Sequence, residues 1–203
     1  AAAYARDRVQ SARAGSADKT PVAIIEHPDV RRMLMRMRAL TEGSRALLYY
    51  TAGQVDRGSL GDDAAQKRAE LLVPMLKAWG TDIGVEVAGL GIQIHGGMGF
   101  VEETGAAQHW RDSRIAPIYE GTNGIQAMDL VGRKLSMDGG DAAKALIADM
   151  KATLVDLGKL YSGKPVERFA TAIEAVEDAT LWLLDQKADP NAAASYLGSL
   201  RAA

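Results

Sequence analysis

The residues whose types and spacing are suited to chemistry lie between positions 93 and 126. Glu120 stands just before a helical pattern that begins near Gly124, so its carboxylate is mounted close to a rigid element. Gly96 and Gly97 follow a long helical pattern and permit both positive φ and the close approach of a ligand. A carboxylate held in this way is suited to act as a general base, although a lone glutamate at a helix start is more often a cap.

Two long helical patterns precede this stretch and are expected to hold it in place. Apolar residues recur at the helical period from Asp29 to about Asp56, and again from Asp63 to His95. Pro74 interrupts the second pattern and predicts a kink or a short break just upstream, because proline removes an intrahelical hydrogen bond. Asp62 or Asp63 is expected to cap the second helix.

The second pattern contains three glycines, Gly84, Gly89 and Gly91. Each glycine inside a helix costs roughly 1 kcal/mol relative to alanine. Close packing against another helix would explain them, and so would the approach of a cofactor or of a second subunit. The sequence favours neither explanation.

The stretches on either side are less regular. Residues 1–14 are rich in alanine and are typical of the last turns of a helix, whereas residues 15–28 are typical of a loop. The loop contains one apolar insert, Val22 to Ile25, for which no partner strand is predicted. Phe100 to Pro117 is expected to be a connector with a short helix near its start.

Further helices are predicted after the connector. Thr122 or Asn123 is expected to cap a helix that ends near Leu135, and residues 136–140 form the clearest linker in the chain. Residues 141–161 and 166–187 are predicted to form an antiparallel helix pair, and a third helix is predicted from Asn191.

Composition limits the class of function. The 203 residues carry a formal net charge of −2, which gives no electrostatic basis for binding nucleic acid or an anionic membrane. Cysteine is absent, which excludes disulfides and thiol nucleophiles, and the three histidines are too scattered to predict a metal site. No apolar run is long enough to span a bilayer and no signal-peptide pattern opens the chain, so a cytoplasmic location is the default expectation.

Three motifs in this stretch resemble the C-terminal helical domain of acyl-CoA dehydrogenases, and their spacing is also that of the family. They are Gln-Ile-His-Gly-Gly-Met-Gly-Phe at 93–100, Arg-Asp-Ser-Arg-Ile at 111–115 and Ile-Tyr-Glu-Gly-Thr-Asn-Gly-Ile-Gln at 118–126. The resemblance covers Ala1 to about Leu135, and the helices after Gly140 resemble the additional C-terminal region of the larger bacterial members. It implies an all-α fold, with an up-down helical bundle in residues 1–137 and an accessory helical hairpin or domain in residues 141–203.

We expect the chain to be a segment of a longer polypeptide. It begins without methionine inside a helical pattern and ends in another. Nothing in it resembles the N-terminal helical domain or the middle β-domain, which in the family supply much of the flavin and thioester pocket.

The resemblance implies roles for individual residues. Glu120 matches the family's catalytic base, and Gly121 matches the position that lies against the substrate. The other matches are contacts to FAD: Thr122 and Asn123 at the flavin, Gln93, Gly96 and Gly97 at its nucleotide end across a subunit interface, and Arg8 at its pyrophosphate from a neighbouring subunit.

The first of these blocks departs from the family pattern. Ser11 and Ala12 stand where Phe-Gly is usual after the arginine, and the loop that follows is longer. Pro28 stands beside His27 where the family usually has glutamine. We therefore keep His27 only as a minor candidate and do not assign it a role, and we expect His95 to be a packed or capping histidine.

The resemblance implies that the complete protein oxidises an acyl-CoA to its trans-2-enoyl-CoA. Glu120 would remove the α-proton while hydride goes to FAD, and an electron-transfer flavoprotein would accept the electrons from a homodimer or tetramer. The isolated segment is expected to be inactive, because it holds the base without a complete flavin site. Two alternatives stay open, namely a non-catalytic oligomerisation or binding module of the same fold and an acyl-CoA oxidase that uses oxygen.

Overall fold

The computed structural model describes residues 1–119 and 122–186, and it is predominantly helical. The predicted all-α fold is therefore confirmed. The helices are α1 (Ala2–Asp7), α2 (Pro28–Ser59), α3 (Asp63–His95), α4 (Gly97–Phe100), α5 (Ala106–Ser113), α6 (Thr122–Asp129), α7 (Asp141–Leu160) and α8 (Lys164–Gln186). A π-helical turn, Leu130–Lys134, continues α6, and short 3-10 turns lie at Ile24–Glu26 and Glu102–Thr104. None of the helices in the described part of the chain combines the length and the apolar character needed to cross a membrane.

A small antiparallel sheet near the N-terminus corrects two predictions. Strand β1 (Val9–Ala12) pairs with strand β2 (Pro21–Ala23), so the apolar insert does have a partner and the first helix ends at Asp7. Val9 pairs with Ala23 and Ala12 pairs with Pro21, which leaves one extra residue on β1 and defines a β-bulge. The prediction was wrong because the alanine-rich composition of residues 1–14 favours a helix, whereas strand pairing depends on residues far away in sequence.

The long helices agree with their predictions in existence and type. Helix α3 runs through Pro74 as one element, and the backbone N–H of Ala65 donates to Oδ1 of Asp62 at 3.0 Å, so Asp62 is the cap. This hydrogen bond is the main reason why the pKa of the Asp62 carboxyl is lowered. The short helix predicted near the start of the connector is present, as the 3-10 turn Glu102–Thr104 followed by α5. The third helix predicted from Asn191 falls outside the described residues.

The chain forms two compact units. The first unit comprises Ala1–Ala46 with Gly80–Tyr119, and the second comprises Leu47–Trp79 with Glu120–Ala203. The predicted division into a helical bundle in residues 1–137 and an accessory region in residues 141–203 is not tested by these two units, and it stays a prediction.

The core of the first unit joins four elements, from the N-terminus to the end of α3. Its buried residues are Ala5 from α1, Ile24 from the turn after β2, Met33 from α2 and Ile94 from α3. Burial of this apolar surface holds the N-terminal hairpin against the end of α3.

The core of the second unit joins α3, the π-helical turn with Leu135 just after it, and the antiparallel pair α7–α8. Its buried residues are Leu71, Leu130, Val131, Leu135, Ala143 and Leu183. A smaller cluster between α7 and α8 consists of Ile147, Ile173 and Val176. The helix pair predicted after the linker is thus packed along most of its length.

The glycines of α3 differ from Gly99 in what surrounds them. Among the described residues, a Cβ at Gly84 would meet nothing within 4 Å, and one at Gly89 or Gly91 would make only ordinary contacts with Trp110 or Met37. A Cβ at Gly99 would overlap the backbone carbonyl of Ile92. Close packing within the first unit therefore requires glycine at 99 and at none of the three positions in α3.

This difference generates a paired prediction. We expect Gly99→Ala to lower the free energy of unfolding by about 1–3 kcal/mol, because the backbone around Ile92 must shift. We expect Gly84→Ala to raise it by up to about 1 kcal/mol, because alanine favours the helix and has room. Urea unfolding of both variants, followed by circular dichroism, measures the two effects. Equal stability of the two variants would contradict the close approach of Gly99 to α3.

Candidate functional site

A groove of about 480 Å³ opens on the first unit, and its walls come from three elements. The N-terminal hairpin forms one wall, and the start of α2 and the end of α3 form the others. The lining residues are Tyr4, Arg8, Gln10, Ser11, Ala12, Ile24, His27, Val30, Gln93, Ile94, His95 and Gly96. The volume falls in the range of about 300–1,000 Å³ that is usual for small-molecule and cofactor sites.

Three of the predicted cofactor contacts lie in this one groove. Arg8, Gln93 and Gly96 all line it, although more than eighty positions separate the arginine from the glutamine. Gly97 follows directly and begins α4. Three positions assigned from two separate blocks of sequence are thus brought together by the fold.

Arg8 provides the positive charge of the groove. Its backbone carbonyl accepts a hydrogen bond from the N–H of Ile24 at 2.8 Å, which fixes the arginine beside the core. Within residues 1–119 and 122–186, no carboxylate forms an ion pair with its exposed guanidinium. A guanidinium in this situation is suited to bind a phosphate or a carboxylate.

His95 forms part of the wall opposite the hairpin. Its Nδ1 lies 2.6 Å from the carbonyl oxygen of Gly91, and since a carbonyl only accepts, Nδ1 carries the proton. The imidazole packs on the ring of Tyr4 with the centroids 4.3 Å apart. These contacts agree with the prediction of a packed histidine.

The end of α3 is set by the backbone of Gly96. Its φ of 61° and ψ of −141° lie in a region that is essentially closed to residues with a side chain. The helix therefore stops after His95, as the double glycine predicts, and the chain turns into α4. Thr104 then donates to the carbonyl oxygen of Met98 at 2.7 Å and holds the following turn.

The connector after α4 is held by side-chain contacts. Arg111 forms an ion pair with Glu102 at 3.1 Å, and Gln108 donates to Asp112 at 2.6 Å. These contacts tie the 3-10 turn to α5 and hold the connector. In the described residues, no cluster of His, Asp or Glu is arranged to hold a metal ion.

The predicted residues near the base lie in or beside the second unit. Glu120 and Gly121 fall outside the described residues, so their roles stay predictions. Thr122 has a φ of 72°, which is unusual for a β-branched residue. The side-chain amide of Asn123 donates to the carbonyl oxygen of Ala78 in α3 at 3.1 Å, and this contact anchors the start of α6.

Several groove residues were missed by the sequence prediction. Gln10 and Ser11 line the groove from β1, and His27 lines it from the start of α2. In the sequence, this loop stands out only by its departure from the family pattern. That departure alone did not indicate that the loop lines a groove.

The groove fits the nucleotide half of a dinucleotide cofactor. Its lining offers a guanidinium at Arg8 that could bind a phosphate, both a donor and an acceptor at Gln93, and apolar surface at Ile24 and Ile94.

Comparison with known proteins identifies the family of the chain. Residues 1–135 match the model of the family described as "Acyl-CoA dehydrogenase, C-terminal domain". The chain is 49% identical to the 3-methylmercaptopropionyl-CoA dehydrogenase of Ruegeria pomeroyi across 98% of its own length and 35% of that protein. It is 33% identical to a butyryl-CoA dehydrogenase of Syntrophomonas wolfei across 87% of its own length and 28% of that protein.

The fold has a match among solved structures. The structure of ACDH-11 from Caenorhabditis elegans in complex with C11-CoA superposes with a TM-score of 0.68 at 22% identity, covering 97% of this chain and 34% of that one. The helical fold is therefore shared. The chain belongs to the acyl-CoA dehydrogenase family, and it spans about a third of the length of the curated relatives that it matches.

The contact of Asn123 generates a prediction. We expect Asn123→Ala to lower the free energy of unfolding by about 1 kcal/mol, since one half-buried hydrogen bond is lost. Asn123→Asp keeps the shape of the side chain but places an acceptor against the Ala78 carbonyl. We expect it to lower the free energy of unfolding by at least as much as Asn123→Ala. Chemical denaturation measures both changes. Wild-type stability of the aspartate variant would show that the amide does not anchor α6.

Proposed function

We propose that this chain is the C-terminal part of a flavin-dependent acyl-CoA dehydrogenase that oxidises an acyl-CoA thioester to its trans-2-enoyl-CoA. The observation that supports this most directly is the groove in which Arg8, Gln93 and Gly96 come together. Membership of the family supports it independently.

Glu120 is the proposed catalytic base. The α-proton of a thioester is weakly acidic, so its removal needs a positioned base and stabilisation of the developing enolate. A carboxylate that is removed from water by a bound substrate becomes a stronger base. Gly121 lies next in the chain, and the absence of a side chain there allows the substrate to approach closely.

FAD is the proposed cofactor, because no side chain accepts a hydride and bound FAD supplies that chemistry. Arg8 would hold its pyrophosphate, and Gln93, Gly96 and Gly97 would hold its nucleotide end. Thr122 and Asn123 are the proposed contacts near the flavin ring.

The complete protein is proposed to act as a homodimer or tetramer in which groove residues of one subunit serve the cofactor of its neighbour. Its electrons would pass to an electron-transfer flavoprotein. The names of the relatives suggest two substrates for assay, 3-methylmercaptopropionyl-CoA and butyryl-CoA.

Substitution of the base tests the proposal. In the full-length protein loaded with FAD, we expect Glu120→Gln to slow acyl-CoA-dependent bleaching of the flavin by roughly 100-fold or more, because the amide cannot take the α-proton. Stopped-flow absorbance of the flavin measures the rate. Flavin content is expected to be unchanged.

The matched control is Glu103→Gln, which removes one exposed carboxylate from the connector and is expected to leave the rate unchanged. Bleaching of the Glu120→Gln variant at the wild-type rate would defeat the assignment of the base. Absence of bleaching in the wild-type protein would favour the non-catalytic module. Oxygen uptake driven by acyl-CoA without added acceptor would favour the oxidase.

The separate chain provides a further test. When the 203-residue chain is mixed with FAD and acyl-CoA, we expect little or no flavin reduction, because it corresponds to about a third of its relatives and to part of the flavin site. Anaerobic absorbance spectra measure this. Turnover comparable to that of the full-length protein would overturn the expectation.

A further inference from the structure

Ser11 adopts an unusual backbone conformation in the wall of the groove. Its φ is 61°, and Ser11 and Thr122 are the non-glycine residues with positive φ in the described part of the chain. This conformation disfavours a residue with a side chain, and strain of this kind persists only where neighbouring contacts hold it. Ser11 is also the departure from the family pattern, in which phenylalanine occupies this position.

One contact holds the backbone next to Ser11. Nε2 of His27 lies 2.8 Å from the carbonyl oxygen of Gln10, and since a carbonyl only accepts, Nε2 is the donor. The bond joins residues 17 positions apart, so it ties β1 to the start of α2.

His27 is itself rigidly mounted. Its backbone N–H donates to the carbonyl oxygen of Ile24 at 3.0 Å, and its own carbonyl accepts from the N–H of Arg31 at 3.1 Å. The ring is half-buried and lines the groove. A donor fixed in this way can hold a strand that would otherwise relax.

The strand is fixed on both sides of the strained residue. The carbonyl of Arg8 accepts from the N–H of Ile24 at 2.8 Å, and the pairing of Ala12 with Pro21 resumes after the bulge. The extra residue of β1 therefore lies between two fixed points, and the His27 bond determines how the backbone at Gln10 and Ser11 faces the groove.

We propose that His27 is a positioning residue of the nucleotide groove, whose ring N–H holds the Gln10 carbonyl and so keeps Ser11 in the left-handed conformation that shapes the wall beside Arg8. The inference rests on the proposed function, because the ligand that it concerns is the diphosphate-bearing half of FAD. His27 acts through the backbone of β1 and not by contact with the reacting atoms.

The experiment measures the dissociation constant of FAD from the full-length protein by flavin fluorescence. His27→Leu keeps the bulk but removes the donor, and we expect the dissociation constant to rise about tenfold, the scale of one hydrogen bond. His27→Gln places an amide donor close to the position of Nε2. We expect the dissociation constant of FAD from this variant to stay within about threefold of the wild-type value. Thermal denaturation of each variant shows whether the protein remains folded at the assay temperature.

A second substitution tests the strain directly. Glycine adopts positive φ without penalty, so Ser11→Gly should keep the wall in place after the His27 bond is lost. We expect His27→Leu combined with Ser11→Gly to recover at least half of the lost affinity on a logarithmic scale. A role of His27 in stability alone predicts no such recovery.

The control is His109→Leu, which removes an exposed histidine of α5 that does not line the groove and should leave FAD affinity unchanged. Unaltered affinity in His27→Leu would overturn the inference and leave the proposed function intact. So would a loss that neither His27→Gln nor Ser11→Gly restores. A wild-type protein that binds no FAD would instead defeat the proposed function, and the inference with it.

Discussion

The groove depends on one small apolar cluster. Ala5, Ile24, Met33 and Ile94 are buried together, and each comes from a different segment of the first unit. Arg8 follows Ala5 by less than one helical turn, and Gln93 and Gly96 flank Ile94 on either side. Burial of these four side chains therefore determines which polar groups reach the groove, and a loss of packing there would separate them all at once.

The long helices were predictable because their signal is local and repeated. In α2 and α3 the apolar period continues for eight or more turns, and a few misplaced residues do not obscure it. The short hairpin β1–β2 was not predictable, since four residues of one strand gain stability only from three residues of another. The groove residues likewise include some that the sequence could predict and some that it could not. Arg8, Gln93 and Gly96 were assigned from motifs, whereas His27 and Ser11 become recognisable only when the bulge and the bond to Gln10 are seen.

The three glycines of α3 are not required by packing among the described residues. They lower helix stability, yet a Cβ at Gly84 would meet nothing within 4 Å, and one at Gly89 or Gly91 would make only ordinary contacts. The approach of a cofactor or of a second subunit to α3 stays a hypothesis.

The two described non-glycine residues with positive φ each stand next to a residue that is held by a side-chain hydrogen bond. Ser11 has positive φ, and the carbonyl of its neighbour Gln10 is held by His27. Thr122 has positive φ, and the side chain of its neighbour Asn123 is held by Ala78. Each strained residue lies within three positions of a predicted ligand or substrate residue, Arg8 in one case and Glu120 in the other. A side-chain hydrogen bond next to a strained residue can offset the conformational cost of that residue, because the two free energies are of similar size. The same physical device thus occurs once in each unit, namely an anchored neighbour beside a residue with a strained backbone.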